Sequence, residues 1–154
     1  MQLFQIDSKQ ALAFYLNDII KGCKAIALKN KGNSIEHTLN LMSWNVEQPN
    51  CFFLIAEHRK RCVGFLFALG VKNLDMSWCE IISLWTVPRL ASHIKYESFD
   101  LLKKWCKDRE IDNMITTITR GTTSHVKAHE GVYLKWLNDL GFEEIGKVVR
   151  AQIK

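Results

Sequence analysis

Three groups of residues in this 154-residue chain have the types and spacing that chemistry requires. The first is Glu80, a lone carboxylate inside the apolar run WCEIISLWTV, Trp78 to Val87. A carboxylate among apolar neighbours suits a general base that takes a proton near neutral pH. The same residue also fits the solvent-exposed start of a strand, or a partner for a surface lysine. The second group follows Pro88. Arg89, His93 and Lys95 bring positive charge to a helix start, where Ser92 is placed to cap the free amides. Free amides and cations at a helix N-terminus favour phosphate or another anion. A plain strand-to-helix connection with a serine cap uses the same residues. The third group is His125 and His129, whose spacing of four would put two imidazoles on one helical face. No third ligand and no HExxH motif accompany them, so they read as loop or cap histidines and no metal is expected.

These residues need elements to hold them. A first helix is predicted to begin at Asp7 or Ser8, with Leu12, Tyr15, Leu16, Ile19 and Ile20 at helical spacing and Gly22 as a stop. Ala25 to Leu28 then reads as a short strand closed by a turn at Lys31 to Asn33. A second helix follows, capped by Asn33 with Glu36 three residues on, and striped by Ile35, Leu39, Met42 and Val46. Two aromatic and β-branched runs, Cys51 to Glu57 and Cys62 to Val71, are joined by four polar residues and predict a hairpin. The run from Trp78 to Val87 is nearly continuous in apolar character, as a central strand covered on both faces would be. A helix around Ile94 to Lys107, a strand over Met114 to Thr119 and a polar loop come next. A last helix carries Tyr133, Trp136, Leu137 and Leu140 and stops at Gly141; a strand tail completes the chain. A hairpin leading into β-α-β-α-β implies an α/β fold, a mixed β-sheet with helices on both faces. With only two prolines and no low-complexity tract, residues 1–154 read as a single domain.

Composition narrows the class. A hydrophobic share of 47% with 24% charged residues is that of an ordinary globular protein. Five dispersed cysteines without a CxxC pair exclude a zinc ribbon or thioredoxin-like motif and read as free buried thiols of a reducing cytosol. The N-terminal stretch lacks a basic segment followed by an apolar core, and the longest apolar run is about half a membrane span. A soluble, cytoplasmic protein without membrane contact is expected. The net charge of +5 gives a mild bias toward acidic partners or is merely a solvated surface. Arg59-Lys60-Arg61 reads as a charged hairpin tip, so a nucleic-acid partner is not expected. The five tryptophans read mostly as core.

Two stretches resemble the Gcn5-related N-acetyltransferases. Glu80-Ile81-Ile82-Ser83-Leu84-Trp85-Thr86-Val87-Pro88 is similar to the family's fourth strand, acidic-Ile-x-x-Leu-x-Val-x-Pro, which leads into a pyrophosphate loop. Trp136-Leu137-Asn138-Asp139-Leu140-Gly141-Phe142 resembles its late-helix ending, aromatic-Tyr-Glu-Lys-Leu-Gly-Phe. With the element order, the likeness covers about residues 50 to 150. It also extends to small phage-encoded members of this fold, including virion proteins, through Thr123-Ser124-His125, Leu84-Trp85 and the Leu134-Lys135-Trp136-Leu137 helix. A protein of that kind would work in the host cytoplasm or in the virion.

The resemblance implies an acetyl-CoA-dependent N-acetyltransferase. It gives Glu80 the role of general base and places the cofactor along Thr86, Val87, Arg89, Ser92, His93, Ile94 and Lys95. The departures are equally specific. The family loop reads Arg-Gly-x-Gly-x-Gly or Ala, whereas Arg89 to Tyr96 contains no glycine, and Ile94 and Tyr96 are bulky. The late-helix tyrosine that commonly serves as general acid is Leu137 here; Tyr133, one turn earlier, is the substitute candidate, although it fits a core stripe as well. The competing expectation is a non-catalytic binding or structural module on the same fold. The acceptor amine or protein partner and the oligomeric state are left open.

Overall fold

Alternating apolar side chains along three adjacent strands bury both faces of one sheet, and the helices divide between those faces. The computed structural model describes residues 1–29, 34–74, 76–116 and 135–143. The elements are β1 (Gln2–Gln5), α1 (Lys9–Phe14), α2 (Leu16–Lys29), α3 (Ile35–Asn45), β2 (Cys51–His58), β3 (Arg61–Lys72), β4 (Ser77–Thr86), a 3-10 turn (Pro88–Leu90), α4 (Ala91–Asp108) and β5 (Asn113–Thr116). The described sheet runs β1-β2-β3-β4-β5, antiparallel from β1 to β4 and parallel between β4 and β5. This is the mixed α/β sheet expected.

Phe53, Ile55, Phe65 and Phe67 face α1 to α3, where they pack with Leu12, Ile19, Cys23 and Met42. Phe52, Leu54, Leu66, Ala68, Cys79 and Ile81 face the other way, against Phe99, Leu102 and Trp105 of α4 and against Trp136 and Leu137. Leu3 and Phe4 of β1 join opposite cores. All five cysteines are buried and free. Trp105 and Trp136 are buried, whereas Trp44 lies on the outer side of α3 and is 63% exposed. No helix among the described residues is long and apolar enough to cross a membrane.

Residues 2–5 form an edge strand held by Leu54 to Glu57, an element with no counterpart in the sequence reading. Four sequence expectations are corrected. The first helix is interrupted at Tyr15 (φ −97°, ψ 4°), which separates α1 from α2. Gly22 does not stop the helix, and Ala25 to Leu28 is not a strand; both lie within α2. A Cβ at Gly22 would come 2.5 Å from Phe65 Cε1 and 2.7 Å from the Trp85 ring, so the glycine is there to let α2 lie close on the sheet. The N-cap of α3 is Ser34, whose hydroxyl accepts from the His37 amide at 3.1 Å; Asn33 lies outside the described residues.

The hairpin forms with a tighter turn than four residues. Arg59 and Lys60 alone make it, both at positive φ (51° and 60°), the conformation that matches strand twist in a two-residue loop. Arg61 belongs to β3, where its guanidinium donates to Asp18 at the start of α2. At the far end, Phe142 N–H bonds the Leu137 carbonyl and Gly141 N–H the Asn138 carbonyl, each at 3.0 Å. Gly141 sits at φ +89°, so a Schellman motif ends this helix where the sequence places its stop.

Candidate functional site

A bulge in strand β4 shifts which residues fall on each of its two faces. Phe67 pairs with Ser83 and Ala68 with Ile81, so Ile82 is an extra residue on β4. Glu80, opposite Leu69, faces the α1–α3 side; Ile82 and Ser83 stay on that side across the bulge, and so does Trp85 opposite Phe65. Without the extra residue strict alternation would turn Ser83 to the α4 side. Beyond the bulge, Leu84 and Thr86 point to the α4 side.

Glu80, Ile82 and Ser83 form one wall of a cleft of about 320 Å³. Cys23, Ile26 and Ala27 of α2 form the second wall. Ile35, His37, Thr38 and Leu41 of α3, with its cap Ser34, form the third. Glu80 is half-buried, open to the cleft rather than sealed in the core. Burial pushes the Cys23 thiol up to about 11, which makes it an apolar lining group rather than a thiolate. Sequence reasoning missed His37, Thr38 and Ser83. Their meeting depends on the bulge and on how α3 lies over β4, and neither leaves a local signal.

The other half of the expected site lies at the end of β4. From Glu80 to Thr86 the strand covers roughly 17–20 Å at about 3.3 Å per residue. Val87 N–H donates to the Val63 carbonyl at 2.9 Å, so it is already taken by β3. Ladder alternation then turns the Thr86 N–H and C=O away from β3, toward the outer edge of β4. Pairing with β5 ends at Ile81 and Thr116, so no described strand covers Thr86 on that edge. Of these two predicted cofactor contacts, Thr86 has a free-facing backbone and Val87 does not offer its N–H.

The following helix begins earlier than the sequence suggests, at Ala91. Leu90 is the N-cap and makes no side-chain cap bond, so Ser92 is the second helical residue rather than the cap. The amides of the first turn, residues 91 to 93, have no partner within the helix. Arg89 and His93 are exposed beside them. Ile94 is 1% exposed and packs toward Gly64, so its side chain is core and only its backbone is left for the predicted cofactor contact. Tyr96 lies past the first turn, 45% exposed, and neither bulky residue blocks the helix end. Lys95 places its ammonium 5.1 Å from the centre of the Trp136 ring, a cation–π contact that ties α4 to the late helix.

Residues around the cleft fix its walls. The Asp18 carboxylate accepts from Arg61 Nε at 2.9 Å and from the Cys62 amide at 3.1 Å, pinning α2 to the hairpin. The Arg61 bond holds the Asp18 carboxyl below the usual carboxylate range, and the Cys62 amide adds to this against the effect of burial. The Tyr15 hydroxyl donates to Glu57; burial first, then that bond, push it up to about 12. Tyr15 is thus a structural group, and no described tyrosine lines the cleft. Tyr133, His125, His129 and the Thr123–His125 stretch lie outside the described residues. Leu137, at the position of the family's tyrosine, is 2% exposed in the α4-side core. Among the described residues no cluster of potential ligands is placed to hold a metal.

No family model and no curated protein matches the chain. Solved structures match along its whole length. An aminoglycoside acetyltransferase from an uncultured soil metagenomic sample, in complex with trehalose, superposes with a TM-score of 0.73 at 14% identity, covering 99% of this chain and 96% of that one. A putative acetyltransferase from Agrobacterium tumefaciens gives 0.71 at 10% identity over 99% and 100%. An aminoglycoside N-acetyltransferase in complex with CoA gives 0.67 at 11% identity over 99% of each. Identities this low carry the architecture alone, and the chain has the mixed-sheet fold of the N-acetyltransferases that its fourth strand and late helix resemble.

Proposed function

We propose that the chain is an acyl-CoA-dependent N-acyltransferase whose general base is Glu80 and whose acceptor occupies the α2–α3–β4 cleft. One observation carries this reading. A single strand, β4, holds a half-buried carboxylate in a cleft and runs on to an edge backbone at Thr86 and a helix N-terminus at Ala91.

The residues present fit a CoA-type group in donors and charge, though not in the family's close glycine geometry. The amides at the start of α4 would hold the pyrophosphate, with Arg89 and His93 beside it and the Thr86 backbone along the pantetheine arm. When bound, such a group supplies an activated thioester acyl. Ile26, Ile35 and Ile82 exclude water from the acceptor. Glu80 accepts the proton that an acceptor ammonium must lose before its nitrogen is nucleophilic, directly or through one water. The acid that completes the reaction is Tyr133 in this reading.

A specific observation favours a second reading, a non-catalytic binding or structural module such as a phage-particle component. No glycine occurs from Arg89 to Tyr96, and Leu137 is sunk in the core where the family has its tyrosine.

Thermal melts with and without acetyl-CoA separate the two. At 100 times its Kd the ligand stabilises the fold by about 2.7 kcal/mol, which for a chain this size raises Tm by about 5–11 °C. Glu80→Gln should keep that shift and lower kcat by about 10²–10⁴-fold. No shift with millimolar acetyl-CoA sinks the enzyme reading, and an unchanged kcat removes Glu80 as base.

A further inference from the structure

The exposed lining of the α2–α3–β4 cleft is more polar than apolar, and one of its polar groups is unused. Of its three hydroxyls, two are engaged on α3 itself: Ser34 accepts from the His37 amide, and Thr38 donates to the Ser34 carbonyl, each at 3.1 Å. The third, Ser83 on β4, is 7% exposed and has no hydrogen-bond partner among the described residues. A hydroxyl that deep normally has one. Its neighbours on the same face, Ile82 and Trp85, are apolar and pack against the α1–α3 core, so packing alone gives no use for a hydroxyl here. The bulge turns Ser83 to this face and leaves its hydroxyl open to the cleft.

We infer that Ser83 is a specificity residue of the acceptor site, binding a hydroxyl carried two or three carbons from the amine, so that the acceptor is an amino alcohol rather than a plain amine. The chemistry rests on the acyltransferase reading, whereas the recognition follows from the cleft alone. Glu80 and Ser83 lie opposite Leu69 and Phe67, which are two positions apart on β3. Their backbones are therefore about 7 Å apart on one face of the sheet. Hydrogen bonds of about 2.8 Å converging from the two side chains leave about 3–4 Å between the ligand's nitrogen and oxygen. That is the span of an amine and a hydroxyl on adjacent or next-adjacent carbons. The ammonium pairs with Glu80, and the hydroxyl takes the open Ser83 Oγ. A carboxylate in the hydroxyl's place would stand near Glu80, a like charge, and the described lining holds no lysine or arginine to offset it.

The experiment compares three amines of one shape: cyclohexylamine, trans-2-aminocyclohexanol and trans-4-aminocyclohexanol. Calorimetry at pH 7 without cofactor measures Kd for each, and thiol release from acetyl-CoA measures kcat/KM. The 2-isomer should bind about 2–12-fold tighter than cyclohexylamine, the worth of one net hydrogen bond. The 4-isomer, whose hydroxyl lies beyond Ser83 when its ammonium is on Glu80, should bind no better than cyclohexylamine. Ser83→Ala should bring the 2-isomer down to cyclohexylamine and leave cyclohexylamine itself unchanged, with melting used to verify that the variant is folded. The comparison of the two isomers on the unaltered protein stands whether or not the variant folds.

A 2-isomer preference in Kd that Ser83→Ala removes, without thiol release, keeps the Ser83 site and removes acyl transfer. Thiol release at equal kcat/KM for all three amines keeps acyl transfer and overturns the role of Ser83. That role is also overturned by a preference that survives Ser83→Ala, by a 4-isomer that binds as tightly as the 2-isomer, or by no binding of any of the three.

Discussion

Adding one methyl group at Gly22 tests the packing that forms the cleft. In Gly22→Ala the new Cβ would lie 2.5 Å from Phe65 Cε1 and 2.7 Å from Trp85 Cδ2 and Cε3. Comfortable carbon–carbon contact is about 3.5–4.0 Å, so the overlap is roughly 1 Å. The Phe65 ring has little room to yield. Phe65 is 2% exposed, stands edge-on to Phe53 at 6.2 Å and lies 5.8 Å from Trp85. The helix must lift instead, which costs about 1–3 kcal/mol for an overpacked core. Alanine recovers about 1 kcal/mol of helix propensity, leaving a net loss of up to about 2 kcal/mol. At about 2–4 °C per kcal/mol, Tm should fall by up to about 8 °C. Cys23, Ile26 and Ala27 ride on the same helix, so this wall of the cleft moves with it. Calorimetric melting of wild type and Gly22→Ala decides the matter. A higher Tm refutes the close-approach argument and leaves Gly22 an ordinary mid-helix glycine whose replacement is governed by helix propensity alone.

Two further perturbations follow from the residues that pin α2 and the hairpin. Asp18→Ala strands the Cys62 amide and should cost about 1–3 kcal/mol in urea unfolding at pH 7. The Asp18 carboxyl is lowered from 3.8 in the folded state, so its contribution is full above that value and is lost as pH falls through the lower folded pKa. The wild-type advantage over Asp18→Ala should therefore shrink in acid below about pH 4; an advantage unchanged at pH 3 rules out the ionised pair as its source. Arg59-Lys60→Asn-Gly relieves two positive-φ positions and should raise Tm by about 2–4 °C for about 1 kcal/mol gained, with no gain arguing that the turn is already relaxed.

Much of the fold was legible because it is written in local pattern. Leu12 and Ile19 recur at helical spacing and are buried; the runs at 51–57 and 62–71 pair as antiparallel strands; and Gly141 ends its helix in the left-handed conformation glycine adopts without cost. What failed depended on partners far away in sequence. Gly22 looks like punctuation in the sequence because its purpose, contact with Phe65 and Trp85, is set some 40 to 60 residues later. Edge strand β1 is four residues long, too short for its own period, and exists because β2 offers a ladder. Arg61 read as part of a charged tip because its partner, Asp18, lies on another element.

The same division explains the candidate site. Glu80 and the basic stretch after Pro88 were visible as residue types, yet their relation hangs on one extra residue, Ile82. Remove the bulge and the strand beyond it changes face: Trp85 would leave the α2 side, Thr86 would turn from α4, and Ser83 would leave the cleft. The bulge therefore sets which face each part of the strand presents, a cleft wall at Glu80 to Ser83 and an open backbone edge at Thr86. It also revises the significance of the missing glycines. Ile94 is core and Tyr96 lies beyond the first turn, so the bulky residues that seemed to close the helix end do not stand at it. The residue at that end is Leu90, the N-cap. Any loss of phosphate binding by this chain must be sought in Leu90 and in the engaged Val87 amide, because the free first turn of α4 keeps its donors and its dipole.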